Sequence, residues 1–103
     1  MDRVEKLQEL LQDTPDDPFL KHALALECIK AGDEKSARRL FEEVLAHDAS
    51  YIGSYYHLAK LLERAGETAM AIGWYEKGMV AAKAAGNNHA FNELQAGYDD
   101  LVD

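Results

Sequence analysis

The feature that most constrains this chain is a sentence written twice. The stretch Leu24-Ala25-Leu26-Glu27-Cys28-Ile29-Lys30-Ala31-Gly32-Asp33-Glu34-Lys35-Ser36-Ala37 is answered 34 positions later by Leu58-Ala59-Lys60-Leu61-Leu62-Glu63-Arg64-Ala65-Gly66-Glu67-Thr68-Ala69-Met70-Ala71. One offset pairs Leu24 with Leu58, Ala25 with Ala59, Ala31-Gly32 with Ala65-Gly66, Ala37 with Ala71 and Phe41 with Tyr75. Each copy reads as the end of one helix, a glycine turn and the start of a second helix. Glycine takes the left-handed conformation that ends a helix without steric cost.

Composition sets limits on what such a repeat can do. The chain has 103 residues, 48% of them hydrophobic, enough for one small packed domain. Strand-like alternation is absent and only Pro15 and Pro18 interrupt the helix formers, so the expected class is all-α. A net charge of −8 disfavours nucleic-acid binding, which needs clustered Lys and Arg, and disfavours docking on an anionic membrane. Residues 1–15 carry too many charges for a signal peptide, and no apolar run would span a bilayer. Cys28 is the lone cysteine, so no internal disulfide forms, and the expected setting is the reducing cytoplasm.

Taken in order, residues 2–13 place Val4, Leu7, Leu10 and Leu11 on one helical face. Asp17-Pro18 is a helix start, a capping carboxylate followed by a proline at N1. The helix it opens runs to about Ala31. Asp33 caps the next, buried through Ala37, Leu40, Phe41, Val44 and Leu45, to about His47. Ser50 is expected to begin a fourth helix ending at Gly66. A fifth spans about Thr68 to Ala84, with Ala71, Ile72, Tyr75 and Met79 inward, and a last one runs from about His89 to Leu101.

A 34-residue helix–turn–helix period marks tetratricopeptide repeats, and the chain resembles that family over nearly its whole length. The carriers are Leu24, Ala25, Gly32, Ala37 and Phe41, then Tyr55, Leu58, Ala59, Gly66, Ala71 and Tyr75. Lys21, Cys28 and Ala49 depart from the pattern, which favours aromatics at the first two and proline at the third. Phe91, Leu94 and Tyr98 fit it displaced by two residues, which predicts a fifth helix or turn longer than standard. In this family, small residues such as Gly73 and Gly78 let helices approach closely. The resemblance implies a right-handed α-solenoid of about six helices in a single domain, 1–103. Its parts are an N-terminal half-repeat (1–15), repeats at 17–48 and 51–85, and a capping helix (88–102). Met1 and the capping ends suggest a self-contained unit.

The resemblance also implies a non-enzymatic protein-interaction module without cofactor or metal, binding a partner peptide or helix in a concave groove. Carried over, the groove positions are Phe19, His22, Leu26 and Ile29; then Tyr56, His57, Lys60 and Glu63; then His89, Asn92 and Ala96. Lys60 would pair with a partner carboxylate, and Leu26 and Tyr56 would supply apolar contact. The family's full carboxylate clamp is missing, because His22 and Leu26 occupy two of its positions and His57 replaces an asparagine. The residues themselves leave a second reading open, a structural module that forms a homodimer or assembles with neighbouring domains through the unusually apolar helix carrying Phe19, Leu26 and Ile29. The four histidines lack metal-site spacing, and no base or oxyanion site can be named beside Cys28. Trp74 either plugs the outer surface or stays half exposed.

Overall fold

The computed structural model describes residues 2–103; Met1 lies outside them. Among the described residues there are six helices and no strand: α1 (Arg3–Asp13), α2 (Pro18–Lys30), α3 (Glu34–His47), α4 (Gly53–Arg64), α5 (Thr68–Ala84) and α6 (Asn88–Val102). They group into two compact units, residues 1–48 and 49–103.

In the first unit α2 packs against both α1 and α3. Asp2 caps α1 by accepting the Glu5 N–H at 2.8 Å. Of the apolar face read in the sequence, Leu7 is buried, Val4 and Leu11 are half-buried, and Leu10 is exposed. Asp17 accepts from Phe19 N–H at 2.9 Å and Leu20 N–H at 3.3 Å, and Pro18 follows at the first helical position. α2 buries Leu20, Ala23, Leu24 and Ala25, and α3 buries all five expected residues. Lys21, standing where the repeat favours an aromatic, buries its stem and reaches Glu43 at 3.2 Å and Asp16 at 3.9 Å. Across the helices, Arg3 of α1 meets Glu27 of α2 at 3.3 Å. Cys28 is half-buried at the edge of this unit, and burial followed by the Asp33 charge raises its thiol pKa.

In the second unit α5 packs against α4 and α6, and α4 also touches α6. α4 begins at Gly53, three residues after the expected Ser50. Ile52, at the cap, has no side-chain acceptor to offer. The N–H groups of Ser54 and Tyr55 turn instead to Tyr51 O (3.3 Å) and Ile52 O (3.2 Å). Farther upstream the Ala49 carbonyl accepts the Tyr55 hydroxyl at 2.6 Å, which holds the lead-in as a turn.

The repeated glycines close α2 and α4 in the same way, with φ of 80° at Gly32 and 78° at Gly66. Gly32 N–H bonds Ile29 O and Asp33 N–H bonds Cys28 O (3.0 and 2.9 Å); Gly66 N–H bonds Glu63 O and Glu67 N–H bonds Leu62 O at the same distances. These are paired Schellman closures, which satisfy the carbonyls a helix end leaves over. α5 runs 17 residues against 14 for α3, so the displacement of Phe91, Leu94 and Tyr98 comes from a longer fifth helix.

The two glycines inside α5 behave differently. A methyl group at Gly78 would lie 2.7 Å from Tyr55 Cβ and 3.0 Å from Leu94 Cδ1, so close approach explains it. Gly73 has nothing within 4 Å of where its Cβ would be. Close packing, expected at both, therefore applies to Gly78 alone.

Candidate partner-binding surface

The sequence-expected contact residues fall in both units. In the first, Phe19, His22 and Leu26 share one stripe of α2, with Ile29 a turn beyond Leu26 and half-buried. Phe19 is 62% exposed, Leu26 is half-buried, and the His22 ring packs edge-on to Phe41 at 5.4 Å. Phe19 is therefore open to a partner, and His22 is braced by the core.

In the second unit the α4 residues form a connected cluster. The Tyr56 ring stands 6.0 Å from the His57 ring and 6.4 Å from the Tyr75 ring, with the Lys60 ammonium 5.5 Å from its centroid. Lys60 Nζ also pairs with Glu63 Oε2 at 3.3 Å, and the same oxygen accepts a hydrogen bond from the Tyr75 hydroxyl. Burial, the Glu63 hydrogen bond and the Glu63 charge raise the Tyr75 pKa, so this phenol stays protonated. Burial lowers the pKa of His57, with the Glu93 carboxylate of α6 opposing and the Arg64 charge reinforcing the shift. His89 and Asn92 are exposed in the first turns of α6, and Ala96 is exposed one turn further on. Such a cluster can present a cation, a carboxylate and a ring face in fixed positions. It offers no activated nucleophile.

Two participants were not legible beforehand. Tyr75 reads in the sequence as core, and only the fold puts its hydroxyl on the Glu63 carboxylate. A groove of about 640 Å³ also runs along the C-terminal half of α5, lined by Ala49, Tyr55, Lys77, Val80, Ala81 and Ala84 among others. Its sequence signal was the alanine run after Val80, of which Ala81, Ala84 and Ala85 line the groove and Ala82 is buried. Trp74 is half-buried, its ring 6.0 Å from Tyr55 and covered by the Lys77 ammonium at 4.5 Å. Among the described residues, no group of three or more His, Cys, Asp and Glu side chains is placed to hold a metal ion, and no helix is long and apolar enough to cross a membrane.

The geometry defines an all-α protein of helix–turn–helix repeats, a class that works by binding other proteins. A tetratricopeptide repeat domain protein from Salinibacter ruber, known from a crystal structure, is 40% identical over 82% of this chain and 94% of its own, with a TM-score of 0.80. A solution structure under the same description gives 40% identity over 85% and 89%, with a TM-score of 0.81. A Bordetella parapertussis protein, also solved in solution, is 25% identical over 98% of this chain and 88% of its own, with a TM-score of 0.82. No family model matches the chain, and no curated protein matches it. On the Salinibacter likeness, the chain belongs to the tetratricopeptide repeat family.

Proposed function

We propose that the protein is a non-enzymatic, cytoplasmic interaction module whose two units form one domain that receives a partner peptide or helix. Tyr56, His57 and Lys60 would be the centre of that surface in the second unit, with His89 and Asn92 on α6 as further contacts, and Phe19, His22 and Leu26 on α2 would supply the contacts of the first unit. The observation that carries the reading is the arrangement around Glu63. Lys60 is paired but 31% exposed, and the buried Tyr75 donates a hydrogen bond to the same oxygen, Glu63 Oε2. An incoming carboxylate could therefore take Lys60 while Glu63 keeps a hydrogen-bond donor, which lowers the cost of exchange. Tyr56 would supply the ring against which an apolar partner side chain packs.

The test is affinity capture by wild type and by Tyr56→Ala/Lys60→Glu from the same lysate. Partners kept by wild type and lost by the variant would support this surface, and equal capture by both would remove it. A second reading, self-association through α2, is favoured by the exposure of Phe19 beside Leu10. For that reading Phe19→Glu should abolish any dimer.

A further inference from the structure

Val80 is 71% exposed, the most open of the large apolar side chains described. It stands on the lip of the alanine-floored groove of about 640 Å³ beside Tyr55, Ala81 and Ala84. A projecting apolar side chain next to an apolar hollow on one surface is the arrangement that a two-fold contact uses twice. Each copy then offers both the knob and the hole.

The charges on the same helix have the matching symmetry. Glu76 stands one turn before Val80 and Lys83 one turn after it, both exposed on the outward stripe. Among the described residues neither has an ion-pair partner. Running two such helices antiparallel about a two-fold axis near Val80 sets Glu76 of each copy against Lys83 of the other. A partner of single charge sign would leave either the acid or the base opposed. A second copy satisfies both.

We propose that the outward face of α5 is a two-fold interface between two copies of this chain, with Val80 of each seated in the groove of the other. The inference is independent of the peptide reading, because it uses neither the α4 cluster nor Phe19. The contact is one helix wide, below the standard size for a tight complex, so a dimer half-formed at about 100 µM is expected.

The test is sedimentation equilibrium from about 10 µM to about 1 mM, the range that brackets such an affinity. Wild type should approach the dimer mass and Val80→Glu should remain a monomer. Glu76→Lys and Lys83→Glu should each weaken association about tenfold, since each replaces two attractions with two repulsions. The double variant Glu76→Lys/Lys83→Glu should return to wild-type association, which a merely misfolded protein would not do. A wild type that stays monomeric at the top concentration overturns the proposal. So does a Val80→Glu variant that dimerises, or a double reversal no better than the singles. Loss of the dimer in Phe19→Glu with retention in Val80→Glu would overturn it in favour of the α2 face.

Discussion

The Tyr75 hydroxyl, on α5, donates a hydrogen bond to Glu63 Oε2 at the end of α4, and the Lys60 ammonium pairs with that same oxygen. The contact joins the fully buried ring of the repeat's large aromatic position to the one α4 carboxylate in the proposed binding cluster. Core packing and surface chemistry are therefore linked through one oxygen atom, Glu63 Oε2.

Tyr75→Phe should keep the packing and remove the bond, lowering stability by about 1 kcal/mol, since Glu63 is partly open and water can replace the phenol. The pH dependence follows from the raised Tyr75 pKa. In the unfolded chain the phenol loses its proton near pH 10, whereas in the folded protein it holds that proton to higher pH. This stabilisation is present below about pH 10 and is lost as pH rises through the folded value. Urea denaturation between about pH 8 and 11 should show wild type losing stability faster than Tyr75→Phe, so that the difference between them narrows.

His57 titrates with the opposite sense. Its folded pKa lies below the ordinary value of 6.5, mainly through burial. The unfolded chain therefore takes up the proton first as pH falls, and stability present above about pH 6.5 is lost down to the folded value. His57→Gln should flatten this loss in thermal unfolding between about pH 7 and 5. An identical acid slope in both proteins would contradict the assignment.

Gly97 and Gly73 should respond in opposite directions to the same change. A methyl group at Gly97 would lie 2.5 Å from Tyr75 Cζ and 2.6 Å from its Cε1, atoms of a ring with no room to retreat. Gly97→Ala should cost about 1–3 kcal/mol through overpacking. Gly73→Ala meets open space inside α5 and should stabilise by about 0.5–1 kcal/mol by favouring the helix. Chemical-denaturation midpoints of the two variants check both signs.

Asp17→Ala should destabilise the protein by about 1 kcal/mol by stranding the Phe19 and Leu20 N–H groups, and Asp17→Asn should recover most of the loss. Equal losses in the two variants would show that the Asp17 charge, rather than its capping geometry, was at work.

The sequence by itself determined the repeat and its frame. Helix ends are local events, so Asp17-Pro18, Asp33, Gly32 and Gly66 announce them within a few residues of chain. The 34-residue offset aligned the small and large positions, and Ala25, Ala37, Phe41, Ala59, Ala71 and Tyr75 are all fully buried. Extra length in the fifth helix or its turn was likewise legible, because an insertion displaces every later position of the pattern, and the structure puts it in the helix.

Tertiary structure decided what lies between the helices. Ser50 carries a good capping side chain, yet α4 starts at Gly53 with Ile52 at its cap, and the lead-in is a turn in which the Ala49 carbonyl accepts the Tyr55 hydroxyl. Gly73 and Gly78 look alike in sequence, and only the approach of Tyr55 and Leu94 tells them apart. The same holds for the surface. Periodicity places Tyr56, Lys60 and Glu63 on α4, but the Tyr75 hydroxyl that engages Glu63 arrives from another helix. A helix period reports which way a residue faces; what it meets there depends on a neighbour whose position no local pattern encodes.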